Sequence, residues 1–223
     1  MTDVRVKICG VTSAEDAAAA VAAGSDYIGL NFFPPASRSI RMEQAAAVLA
    51  AVPDGVERTA LFVDPDDVLI GQVADNLSVG SALPERNAYT LIQLHGQEPP
   101  ARVLEIKERT GLPAMKVVSV RDAGDLAAVE AYSEVADQLL IDAKAPEGSN
   151  IPGGHGVPFD WSLLAGRTWS LPWMLAGGLT PENVAEAIRL TGATQVDVAS
   201  GVEASPGVKD HNKLKAFVAA AKS

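Results

Sequence analysis

The chain has a single cysteine in 223 residues. An internal disulfide is therefore excluded, and a free thiol fits a reducing cytoplasm. Basic residues are also scarce: 18 Lys and Arg against 28 Asp and Glu leave a net charge of -10. That balance argues against non-specific nucleic-acid binding and otherwise bears on solubility. A site for an anionic ligand must then be built locally, against the field of the whole chain. No apolar run reaches the length of a membrane span, and the polar start Met1-Thr2-Asp3 has no signal-peptide pattern. The expectation is a cytoplasmic protein with neither membrane nor nucleic acid as partner. His95, His155 and His211 lack the spacing of a metal site, and no Rossmann or Walker phosphate loop is present.

What is present is enough for one sizeable core: 48% of residues are hydrophobic. Strand-like segments are expected at 4–8, 27–31, 57–62, 88–94, 114–118, 138–141, 173–176 and 195–199. Between them lie Ala-rich or amphipathic segments at 14–23, 42–51, 65–76, 101–110, 123–134, 161–164, 180–191 and 210–221. Ser13 three before Asp16, and Thr180 ahead of Pro181 and Glu182, read as helix starts. Residues 77–87 read as a surface loop. Eight β-then-α units predict a single (β/α)8-barrel domain over 1–223, with a doubly wound open sheet as the competitor.

Alternation along the strands favours closure. Val4, Val6 and Ile8 share one face of the first strand, with Arg5, Lys7 and Cys9 on the other. In the last strand Val196 and Val198 oppose Gln195, Asp197 and Ala199. With the apolar faces on the helices, Lys7 can meet Asp197 inside a closed barrel. Gln93 and Lys116 are expected to face inward as well. On an open edge strand Lys7 would snorkel to solvent instead.

In a barrel of parallel strands, chemistry sits at the C-terminal strand ends. Cys9 and Asp142 each close an apolar strand there, a thiol and a carboxylate able to move protons on a small molecule. Lys7 is a cation that would lower the thiol pKa. Gly177-Gly178 and Ser200-Gly201 end the seventh and eighth strands. Glycine lets backbone N–H groups approach an anion closely, and barrels often bind phosphate in these two loops. Tight turns need glycine anyway; two such turns at these strand ends favour phosphate. Arg38 offers a guanidinium fork for a carboxylate. His95 is a candidate for the mouth, with packing or solvent exposure as alternatives. The glycine-rich stretch 152–161 reads as a cover over the mouth or as an ordinary surface loop.

Taken in order, Lys7-Ile8-Cys9-Gly10, Ser37-Arg38, Gln93-Leu94-His95-Gly96, Leu140-Ile141-Asp142, Ala176-Gly177-Gly178-Leu179 and the run from Val196 through Glu203 to Pro206-Gly207 and Lys209-Asp210 closely resemble the phosphoribosylanthranilate isomerase family. The resemblance covers nearly the whole chain. It implies a (β/α)8 barrel of tryptophan biosynthesis, a monomer or homodimer, working on a phosphosugar without cofactor or metal. It further implies that Asp142 is the general acid that opens the ribose ring and Cys9 the general base at sugar C2. Arg38 would orient the anthranilate carboxylate, and the two glycine turns would hold phosphate. Asp197 and His95 are further substrate contacts, Asp197 having the interior charge network as its other role. His155 is given no role. Indole-3-glycerol-phosphate synthase would need a lysine acid where Asp142 stands. The histidine-pathway sugar isomerase usually pairs two aspartates, and Cys9 replaces one. A bifunctional isomerase and a non-catalytic phosphosugar-binding protein are the remaining alternatives.

Overall fold

A computed structural model describes residues 4–76, 89–144, 148, 149, 153 and 159–223. The loop expected at 77–87, His155, and the rest of the 152–161 stretch before Phe159 other than Gly153 lie outside the described residues. In chain order the elements are β1 (Arg5–Cys9), α1 (Ala14–Ala23), β2 (Tyr27–Asn31), α2 (Met42–Leu49), β3 (Glu57–Phe62), α3 (Asp67–Asn76) and β4 (Leu91–Leu94). There follow α4 (Pro100–Thr110), β5 (Ala114–Val120), α5 (Ala128–Tyr132), β6 (Gln138–Ala143), β7 (Trp173–Leu175), α6 (Val184–Thr191) and β8 (Gln195–Val198). A short hairpin, β9 (Glu203–Ser205) with β10 (Val208–Lys209), precedes α7 (His211–Ala221). None of the helices among the described residues is long and apolar enough to cross a membrane.

The first eight strands pair in parallel and close, β1 lying between β2 and β8. Pairing of the first strand with the last excludes the open doubly wound sheet. The register sets Lys7 opposite Asp197. Lys7 Nζ donates to Asp197 Oδ1 at 2.8 Å, and both residues are buried. Val4, Val6, Ile8, Val196 and Val198 turn outward into the main core beneath the helices. The barrel interior is lopsided. Beside β1 and β8 it is charged, whereas Tyr27, Leu91, Met115, Val117, Leu140, Met174 and Ala176 form a separate apolar cluster on the alternate strand positions.

Several expected boundaries moved, each for a local reason. The helix expected at 123–134 shrinks to a 3-10 turn, Asp125–Ala127, and the short α5. Asp125 accepts from the N–H groups of Arg121 and Asp122, and Asp122 accepts from Gly124. These side-chain bonds compete with a helical first turn. The helix expected from 180 begins at Val184. Asn183 first closes a turn, accepting from Thr180 N–H and donating to Gly178 O. The segment 161–164 is a 3-10 turn capped by Asp160. Lys116 does not face inward. Met115 and Val117 hold the inward positions of β5, so alternation sets Lys116 on the helix side of the wall, where it pairs with Glu98 at 2.7 Å and lies 5.5 Å from the centre of the Tyr132 ring. Buried Lys116 needs that partner, since an unpaired ammonium there would cost several kcal/mol, on the order of 3–5. Gln93 does face the interior and borders the cavity described next.

Candidate active site

A cavity open to solvent lies over the C-terminal ends of the strands. Cys9 and Asp142 both border it, as do Arg38, His95, Asp197 and the two glycine turns. All nine residues singled out from the sequence therefore meet at one place. Cys9 ends β1, and Asp142 stands one residue before the end of β6, across the ring. The β1–β8 register brings Asp197 alongside. Gly29 on β2 leaves the room Cys9 needs: a Cβ there would come within 3.2 Å of the Cys9 Sγ and 3.1 Å of the Lys7 Nζ.

The thiol does not behave as its neighbouring cation suggested. Burial, the largest influence, pushes the Cys9 pKa up, and Asp197 adds to it. Lys7 and Lys209 pull it down without compensating. The expected downward pull of Lys7 is present, but burial outweighs it and the net shift is upward. For Lys7, burial works downward, but Asp197 and Cys9 outweigh it and hold the ammonium pKa up.

Asp142 is buried, and its Oδ1 accepts the N–H of Ala143 at 2.8 Å. Its Oδ2 lies 3.3 Å from His95 Nε2, without hydrogen-bond alignment. Gly153 presses on this pair: a Cβ there would stand 2.6 Å from His95 Cε1 and 2.7 Å from Asp142 Oδ2. The turn carrying His95 is fixed from below. Glu98 accepts from the N–H groups of Asp64 and Gly96, and Lys116 donates to both Glu98 and the Gly96 carbonyl.

Gly177 and Gly178 both have positive φ, +86° and +68°. Their N–H groups donate to no protein acceptor among the described residues, which suits an anion. Gly177 also lets the turn pack on the chain just after Asp142, where an added Cβ would lie 2.6 Å from Ala143 N. Gly177→Ala is expected to cost about 2–4 kcal/mol, combining left-handed strain with overpacking. Urea unfolding checks this; a loss below about 1 kcal/mol would mean the turn gives way freely.

Arg38 meets a partner that the sequence reading missed. Its Nε donates to Glu203 Oε1 at 2.7 Å and its Nη2 to Glu203 Oε2 at 2.9 Å. Those bonds raise the Arg38 pKa. Burial works to raise that of Glu203, but Arg38 and Lys209 outweigh it and hold the carboxyl down. Its Nη1 has no partner among the described residues. The available signal was Pro206-Gly207, a turn pair between Glu203 and Lys209 that places the two opposite each other on a hairpin. Gln93 was passed over as a site residue too. It is 1% exposed, and its Oε1 has no partner among the described residues.

The comparisons with known proteins agree with one another. A family model described as N-(5'-phosphoribosyl)anthranilate (PRA) isomerase matches residues 6–220. An N-(5'-phosphoribosyl)anthranilate isomerase of Ruegeria sp. (strain TM1040) is 53% identical over 224 aligned positions, covering 100% of both chains. One from Paramagnetospirillum magneticum is 51% identical, covering 98% of this chain and 97% of the relative. The solved phosphoribosyl anthranilate isomerase of Thermotoga maritima superposes with a TM-score of 0.84 at 37% identity, covering 98% of each chain. Another solved isomerase, in complex with reduced 1-(o-carboxyphenylamino)-1-deoxyribulose 5-phosphate, gives a TM-score of 0.79 at 35% identity, again covering 98% of each. By full-length sequence and by fold, this chain belongs to the N-(5'-phosphoribosyl)anthranilate isomerase family.

Proposed function

We propose that this chain catalyses the Amadori rearrangement of N-(5-phosphoribosyl)anthranilate to 1-(2-carboxyphenylamino)-1-deoxyribulose 5-phosphate, a step of tryptophan biosynthesis. Asp142 is the general acid and Cys9 the general base. The observation that carries the reading is one cavity bordered by both residues from opposite sides, with two glycine turns at its rim. Asp142 gives its proton to the ribose ring oxygen while the anthranilate nitrogen pushes its electron pair toward C1. The C1–O bond breaks and an imine forms. Cys9 then takes the proton from C2, and the C–H electrons become the C1–C2 double bond of an enolamine, which tautomerises to the ketone. Gly177, Gly178, Ser200 and Gly201 hold the phosphate with backbone N–H groups. Arg38 receives the anthranilate carboxylate on its Nη1 side, while Asp197 and His95 border the sugar. In this reading the enzyme is a single barrel domain acting in the cytoplasm as monomer or homodimer.

The test is a fluorescence assay of the purified protein with freshly made phosphoribosylanthranilate, run beside the histidine-pathway sugar substrate. Turnover of the first is expected, and its absence would end the proposal. Arg38→Ala should raise KM about tenfold or more, the scale of one charge-assisted contact, with a smaller effect on kcat. An unchanged KM would remove the carboxylate contact.

A further inference from the structure

We propose that Lys209 is a positioning residue: it ties the Cys9 end of β1 to the end of β8 and, through Glu203, aims the Arg38 guanidinium into the cavity. The inference rests on the reading above, in which Cys9 and Arg38 act on the bound phosphosugar.

Lys209 reaches the barrel from β10, opposite Glu203 on the hairpin. Its ammonium is fully buried and donates to Cys9 O at 2.6 Å, Ala199 O at 3.0 Å and Glu203 Oε1 at 3.1 Å. A lysine has three donors, and all three are spent on fixed acceptors. Two of those acceptors are main-chain carbonyls at strand ends, one on the residue proposed as base and one just before the Ser200-Gly201 turn. An apolar side chain would fill this space at lower desolvation cost. A buried charge that uses every donor on the rim instead fixes the geometry of that rim.

The second arm runs through Glu203. It grips Arg38 along the Nε–Nη2 edge, so the guanidinium plane is set by the hairpin rather than by solvent. The Arg38 stem in turn lies on Gly10, where a Cβ would sit 2.6 Å from Arg38 Cδ. The hairpin tip is anchored as well. Gly207, at φ +85°, packs on Ser37, and its carbonyl accepts from Thr12 Oγ1 at 3.1 Å. The hairpin thus locks three loop systems of the rim, those after β1, β2 and β8. Burial lowers the Lys209 pKa, with Glu203 working to raise it; with the ammonium retained, Arg38 and Lys209 against Glu203 leave the cluster with one net positive charge in a chain of net charge -10.

The charged groups facing the thiol are Lys7 on its own strand, Asp197 from β8, Lys209 from β10 and Arg38 from the loop after β2. Removing Lys209 takes away one of the cations that favour the thiolate. Because Cys9 is the only cysteine, iodoacetamide alkylation read at the Cys9 peptide by mass across a pH series reports this thiol.

In Lys209→Met, made in the full chain, kcat is expected to fall about 10²-fold, the scale of a misplacement near 1 Å. The alkylation midpoint should rise by about one pH unit. A folded Lys209→Met protein with wild-type kcat and an unmoved midpoint would overturn the proposal; a merely structural lysine would lower thermal stability and nothing else. Should that variant fail to fold, Glu203→Gln keeps the side-chain size while weakening the hold on Arg38. Its KM for phosphoribosylanthranilate should rise about tenfold with the thiol midpoint unmoved, and an unchanged KM would equally overturn the proposal. Alkylation needs no turnover. A wild-type protein inert toward phosphoribosylanthranilate, whose midpoint still rises in Lys209→Met, would refute the assigned activity and leave the clamp standing.

Discussion

Asp142→Asn is expected to lower kcat for phosphoribosylanthranilate by about 10³–10⁴-fold, the upper range for a lone general acid. The substitution is nearly isosteric. The amide oxygen can still accept the Ala143 N–H that Oδ1 holds now, so the β6 end keeps its shape and the variant should melt close to wild type. What the amide cannot do is give a proton to the ribose ring oxygen. His95 does not supply a ready substitute. Its Nε2 lies 3.3 Å from Asp142 Oδ2 without hydrogen-bond alignment, and Gly153 closes over both groups. KM should change far less than kcat, because the proposed phosphate and carboxylate contacts lie elsewhere. Turnover within tenfold of wild type in a folded variant would strip Asp142 of the acid's role.

The barrel and the meeting of its site residues were legible for a simple reason: both follow from period-two alternation. Once Val4, Val6 and Ile8 face the helices, Lys7 and Cys9 must face the interior. Asp197 sits on the matching face of the last strand, and closure makes the two partners. The glycine turns follow from the ends of the same strands. What escaped was set by side chains acting across the fold. Lys116 is the exception, because its strand was read in the wrong phase: Met115 and Val117 take the interior positions, so alternation itself sets Lys116 on the helix side with Ala114 and Val118, where Glu98 pairs with it. Glu203 and Arg38 are 165 positions apart, and only the packing of the hairpin on the loop after β2 joins them. The helix expected at 123–134 failed because Asp122 and Asp125 bond their own backbone, a choice that apolar periodicity does not register. The net direction of the thiol shift was hidden in the same manner. Lys7 was visible in the sequence, whereas the depth of burial that outweighs it was not.

That burial shapes the second large expectation, for Cys9→Ser: a fall in kcat of about 10³–10⁴-fold with the fold retained. Serine is slightly smaller and fits the space that Gly29 leaves. Its hydroxyl, however, is far harder to ionise than a thiol. The wild-type thiol already titrates above its ordinary value, since burial raises it and Lys7 and Lys209 only partly offset the rise. Only the deprotonated form can take the C2 proton, so the active fraction of free enzyme grows as pH rises. On its acid side, kcat/KM for the wild type should therefore climb through neutrality and past about 8.5, the unperturbed thiol value. In the serine variant this limb should disappear, leaving residual activity that does not follow thiol ionisation. Measuring both profiles separates a chemical role from a packing role, because a thiol that merely filled space would leave the acid limb in place after substitution. A serine variant with near-wild-type kcat and an unaltered limb would rule out Cys9 as the base and require another group on the cavity wall to take the C2 proton.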